Sequence, residues 1–136
     1  MPSPTLAPPS QGTILYTYHG HHDYVEAAAW SPDSKRIASA SKDRTVQIGD
    51  ATDGGNVFTY IGHADIVDSV AWSPDGARIA SSSTDRTVQV WDTADGGHPF
   101  VYRGDSIDLF FVAWSPDGTR IACGGADTAI QVWQAT

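Results

Sequence analysis

Three tryptophans, Trp30, Trp72 and Trp114, are spaced 42 residues apart, and each sits inside the same phrase. The phrases read AAAWSPDSKRIASASKDRTVQIGD from Ala27, SVAWSPDGARIASSSTDRTVQVWD from Ser69 and FVAWSPDGTRIACGGADTAIQVWQ from Phe111, and they align without a gap. One supersecondary unit has been copied, so the chain is an array whose units bury their apolar faces against one another.

Inside each unit, short β-branched and aromatic runs alternate with turn chemistry, and no run carries a helical period. In the middle copy the strands predicted are Val67–Trp72, Arg78–Ser83, Thr87–Trp91 and Phe100–Arg103. Ser73-Pro74-Asp75-Gly76 joins the first two: Pro presets φ, and Gly stands where a positive φ is needed. Thr84-Asp85-Arg86 turns the chain back, and the loop Asp92–Gly97 carries two glycines. Four antiparallel strands per 42 residues describe one propeller blade, so the fold class is all-β.

Within the middle unit, the Gly62-His63 pair, the Ser83-Thr84-Asp85 stretch and the Trp91-Asp92 ending resemble a WD-repeat (WD40-type) β-propeller. The resemblance covers residues 13–136, and the SPDG-rich turns look like those of bacterial members. It implies a buried network of His, Ser or Thr, Asp and third-strand Trp: His63, Ser81, Asp85 and Trp91 in the middle blade, with Ser83 as an alternative hydroxyl. The first copy keeps His21, Ser39 and Asp43 but has Gly49 in place of the Trp. The third keeps Asp127 and Trp133, with Asp105 replacing the His and Cys123 the Ser. A Ser–His–Asp grouping also invites a catalytic-triad reading. A triad needs an exposed hydroxyl beside an oxyanion site, whereas a repeated, sheet-embedded set satisfies buried polar groups.

The ends carry complementary strands. Residues 15–20, LYTYHG, align with VFTYIG at 57–62 and PFVYRG at 99–104, so a fourth strand is predicted over 13–19. Blade 1 then spans 20–61, blade 2 62–103 and blade 3 104–136, the last without its own fourth strand. Closed propellers need about 4–8 blades, so three blades are expected to close by dimerisation, each Leu15–Tyr18 strand completing the partner's last blade, or to belong to a longer array. The eroded Gly49 position and Pro2, Pro4, Pro8 and Pro9 fit a truncated piece of a larger protein. Residues 1–12 are expected to be a disordered or polyproline-like tail.

The resemblance implies an interaction face built from loops before the first strands, His21–Tyr24, His63–Ile66 and Asp105–Asp108. The turns Lys42–Arg44, Thr84–Arg86 and Ala126–Thr128 belong to the same face. Asp23, Tyr24, Arg44, Ile66, Arg86, Ile107 and Phe110 are the partner-binding candidates. Asp23 and Asp65 become Ile107, Glu26 and Asp68 become Phe110, and Ala27 and Ser69 become Phe111 in the third copy. This reads as an apolar anchor for a protein or peptide. The alternative is local repacking after the change to Asp105, with Phe111 in the core.

Of 136 residues, 40% are hydrophobic, enough to supply a core, and the formal charge is −8. An acidic surface repels phosphate backbones and anionic lipid, so neither nucleic acid nor membrane is the expected partner. The lone Cys123 excludes an internal disulfide and a multi-cysteine zinc site, and its place opposite Ser39 and Ser81 in the repeat makes it a small buried residue. His19, His21 and His22 lack the cysteine or carboxylate partners of a metal site, the Asp-Gly-Gly turns lack EF-hand spacing, and no phosphate loop occurs. No catalytic residue, metal or cofactor is therefore assigned. With no basic, apolar secretory start and no run of spanning length, a cytoplasmic setting is expected. The reading is a non-enzymatic scaffold that binds protein or peptide. Its competitors are a structural oligomer-building unit and a propeller enzyme using the central channel, for which Glu26 and Asp68 are the only recurrent acids near the inner strands, with Phe110 breaking the series.

Overall fold

The computed structural model describes residues 7–104 and 108–135. Eleven strands run in chain order: β1 (Val25–Trp30), β2 (Arg36–Ser41), β3 (Val46–Asp50), β4 (Phe58–Tyr60), β5 (Val67–Trp72), β6 (Arg78–Ser83), β7 (Thr87–Asp92), β8 (Phe100–Arg103), β9 (Leu109–Trp114), β10 (Arg120–Gly125) and β11 (Ile130–Gln134). They form two four-stranded sheets, β1-β2-β3-β4 and β5-β6-β7-β8, and a three-stranded sheet, β11-β10-β9, all antiparallel. The fold is all-β, a partial propeller of three blades, and no helix is long and apolar enough to cross a membrane among the described residues.

The SPD turns work as local chemistry dictates. Asp75 Oδ1 accepts from the Ser73 hydroxyl at 2.6 Å and from the Ala77 N–H at 3.0 Å. Ser73 Oγ then accepts from the Arg78 N–H at 3.0 Å, which fixes the entry to β6. The turn needs a left-handed residue at its fourth position, and Gly76 (φ 74°) and Gly118 (φ 74°) supply it; Ser34 takes φ 63° in the first copy.

Blades stack through two apolar layers. One joins Ala38, Val46, Ile48 and Tyr60 of the first blade to Val67, Trp72, Ile79 and Trp91 of the second. The other joins Val88 and Val90 of the second to Leu109, Val112, Ile121 and Cys123 of the third. The repeat-marking tryptophans stitch the layers: Trp72 Nε1 donates to the Ala29 carbonyl at 3.0 Å, and Trp114 Nε1 to Ala71 at 3.1 Å. Trp30 has no blade packed against it among the described residues and is 59% exposed.

The outer flanks expose what the inner layers bury. Val25 is exposed whereas Val67 is buried; Ile130 and Val132 are exposed whereas Val88 and Val90 are buried. The repeat places apolar residues at these positions on every blade, and among the described residues only the inner faces find a neighbour.

Residues 13–19, expected as a fourth strand that completes another copy's last blade, carry no strand in the single chain. A strand requires a ladder partner, and in this chain β3 already pairs β4 and β7 pairs β8. The Tyr16 and Tyr18 hydroxyls nevertheless reach the first blade, donating to the Asp50 carbonyl at 3.5 Å and to Gln47 Oε1. Phe111, assigned to the core in the repacking alternative, is 45% exposed because it faces the uncovered outer flank. Residues 1–6 of the Pro-rich segment lie outside the described residues, and 7–12 carry no strand or helix.

Candidate functional site

The polar sets sit where the loops before the first strands meet the turns after the second strands. In the middle blade, His63 Nδ1 lies 2.9 Å from Asp85 Oδ2 and Nε2 lies 2.7 Å from Ser81 Oγ. Trp91 Nε1 donates to the same Ser81 Oγ at 3.1 Å. In the first blade the distances repeat, 2.8 Å for His21 to Asp43 and 2.7 Å for His21 to Ser39. Burial pushes the Asp43 carboxyl up, but hydrogen bonds from the Thr45 hydroxyl, the His22 N–H, the His21 ring and the Thr45 N–H outweigh it, holding the group at about 2. Asp85 is also held well below the carboxylate range: burial again opposes, and His63, Thr87 and the Ala64 N–H prevail. The ionised carboxylate accepts from Nδ1–H, and each serine hydroxyl lies between Nε2 and a β3 or β7 carbonyl, Gln47 for Ser39 and Gln89 for Ser81, both at 3.4 Å.

The third blade lacks this assembly among the described residues. Asp127 caps only its own turn, accepting from the Ala129 N–H at 3.0 Å, and Asp105 lies outside the described residues. Trp133 stacks on Tyr102 at 4.5 Å, and its buried Nε1 has the weak sulfur acceptor of buried Cys123 in place of a serine hydroxyl.

The same loops and turns form one edge of the molecule. Lys42 N–H donates to the Tyr24 carbonyl at 2.9 Å, Thr84 N–H to Ile66 at 3.0 Å and Ala126 N–H to Asp108 at 3.1 Å. Asp23 accepts from the Tyr24 N–H at 2.7 Å, leaving the Tyr24 ring 73% exposed with Lys42 Nζ at 5.1 Å. Arg44 and Arg86 hold left-handed φ of 73° and 71° and stand exposed, and Arg86 Nε lies 3.6 Å from Asp108 Oδ1 of the next blade. Ile66 is half-buried, Phe110 is exposed, and Ile107 lies outside the described residues.

Each first strand breaks register at one residue: Glu26, Asp68 and, in the third blade, the region opposite Gly124 and Gly125. A bulge re-aims its side chain. Burial pushes the Asp68 carboxyl up against a hydrogen bond from Thr84, and the charges of Glu26 and Asp108 act in the same direction as burial. The inner edge thus gathers Glu26, Asp68 and Asp108 beside Phe110. Asp108 was not singled out as a charged neighbour in the sequence, because nothing in a loop's spacing reveals a cross-blade contact. Among the described residues, no group of three His, Cys, Asp or Glu side chains is arranged to hold a metal ion.

The model of the family described as WD domain, G-beta repeat matches this chain three times, over residues 12–50, 54–92 and 97–134. The second and third matched repeats open just before the fourth strand of one blade and close at the end of the third strand of the next, so the sequence repeat is offset from the sheet. The transcriptional repressor rco-1 of Neurospora crassa is 45% identical to this chain over 51 residues, 38% of the chain and 8% of that protein. The chain therefore matches a small part of that relative's length.

Proposed function

Because the chain belongs to the WD domain, G-beta repeat family, we propose that it is a non-enzymatic scaffold that binds proteins or peptides through its loop face. The observation carrying this reading is the threefold tie between loop and turn. It gives a rigid base from which exposed Tyr24, Arg44, Arg86 and Phe110 project. Aromatic and arginine side chains on a fixed support suit a binding hot spot. Asp23 and half-buried Ile66 shape the loops, and Ile107 completes the third loop in sequence. The His–Ser–Asp sets serve the architecture: they orient the turns that carry this face and satisfy buried polar groups. The partner surface complementary to an acidic chain is basic.

The test is selection of peptides against the folded chain, followed by titration of the best binder with Tyr24→Asp and Phe110→Asp variants whose circular dichroism is unchanged. Each variant is expected to weaken binding by about 2 kcal/mol, as for a central anchor. Peptides that bind both variants as tightly as the parent would overturn the loop-face assignment.

A second reading concerns self-association, favoured by the exposed flanks. Val25 and Trp30 on one flank, and Ile130 and Val132 on the other, repeat residues that pack together inside the molecule. Whole copies of a three-blade unit reach the propeller range of about 4–8 blades only as a pair. In such a two-fold ring the Trp30 N–H would meet the partner's Ala113 carbonyl, repeating the Trp72 and Trp114 bonds. Further blades of a longer array would cover the same flanks.

A further inference from the structure

Where the middle blade holds the Trp91 ring, the first blade holds a cavity. Trp91 faces Ile79 across the ladder, stacks on Tyr60 at 4.2 Å and 6°, and donates its N–H to Ser81. In the first blade Gly49 faces Ile37 in the same register, and the space above it is a cavity of about 210 Å³ lined by Tyr16, Tyr18, Ile37, Ser39, Gly49 and Gly54 among others. The mould is otherwise retained. Tyr18 bonds Gln47 as Tyr60 bonds Gln89, and Gly54 approaches the Tyr16 and Tyr18 rings as Gly96 approaches Phe58 and Tyr60. Ser39 is held by His21 in the geometry in which Ser81, held by His63, accepts the indole N–H.

We propose that this cavity is a binding site for a small planar aromatic molecule carrying one ring N–H, with indole as the parent structure. The cleft, about 210 Å³ and open toward exposed Val25, has more room than the ~150 Å³ that suffices for benzene in a closed apolar cavity. Its two walls are the tyrosine rings and the aliphatic face of β2 and β3, which set a flat slot. Tyr18 supplies a stacking surface and Ser39 a directed acceptor. Ser39 Oγ lies 2.7 Å from His21 Nε2 and 3.4 Å from the Gln47 carbonyl, so its proton has a partner within the chain and a lone pair is left for a ligand donor. All of its walls come from one chain, and it is separate from the loop face.

Calorimetric titration of the full chain with indole and with benzofuran, which has the same shape and no N–H, tests the assignment. Saturable indole binding is expected, about two- to tenfold tighter than benzofuran, the range of one net hydrogen bond. Gly49→Trp, whose added Cβ meets the Gly54 carbonyl oxygen at 3.2 Å and needs only a small shift of that turn, is expected to abolish binding of both ligands. Ser39→Ala is expected to keep the aromatic binding and erase the preference for indole. Absence of saturable indole binding to the parent chain would overturn the proposal. So would unchanged binding by Gly49→Trp, or an indole preference that survives in Ser39→Ala.

Discussion

Ser34 carries a φ of 63°, whereas its counterparts Gly76 and Gly118 carry 74° with no Cβ to strain. A non-glycine residue in the left-handed region costs about 1–2 kcal/mol, partly offset by the greater freedom glycine has in the unfolded chain. Ser34→Gly is expected to stabilise the chain by about 0.5–1 kcal/mol in urea unfolding. Acid sensitivity is also a residue-scale property. An unfolded aspartate titrates near 3.9, whereas Asp43 is held at about 2 and Asp85 is depressed as well. The folded chain therefore binds fewer protons in this window. Their stabilisation is complete above about pH 4 and is lost as pH falls through the depressed folded values. Asp85→Asn is expected to lower stability at pH 7 and to shrink the difference between pH 7 and pH 3; an unchanged difference would count against this role. The residues drawn together at His63, Ser81, Asp85 and Trp91 were legible because the middle copy carries the full motif. The exposure of Phe111 was not, since it depends on what stands beside the last blade rather than on the strand itself.

At the scale of elements, strand identity followed from turn punctuation: SPDG or SPDS marks the first connection in every copy, and Asp-Arg-Thr or Asp-Thr-Ala the second. The bulges also had a signature. Val67, Val70 and Trp72 are the buried members of β5, an interval of three followed by one of two, and Leu109 and Val112 repeat the first interval. Strict alternation allows only intervals of two, so the extra residue marks the bulge at Asp68. The segment 13–19 shows the opposite case. Its sequence matches β4 and β8, yet it forms no strand, because strand character requires a partner that local sequence does not supply. Trp91 is the largest fully buried side chain among the described residues. Trp91→Gly, which recreates the Gly49 situation in the middle blade, is expected to cost about 3–5 kcal/mol, measurable as a lower urea midpoint. A loss under 1 kcal/mol would show that the neighbouring blade collapses into the space.

At the scale of the whole molecule, the account rests on the contrast between inner and outer faces. Val67, Val88 and Val90 are buried, and their repeat counterparts Val25, Ile130 and Val132 stand in solvent with Trp30. Each flank repeats residues that pack together in the layers inside the chain. Contiguous apolar flanks and unpaired strand edges associate, and the proposed pair of chains would close the set. Sedimentation velocity on the full chain at tens of micromolar, run beside Trp30→Glu, measures this directly. The expected result is a compact particle of twice the chain mass that falls to a single chain, or aggregates, when Trp30→Glu charges one flank. A well-folded parent that sediments as a non-associating single chain, with the same coefficient as Trp30→Glu, would contradict the claim that the flanks must be covered.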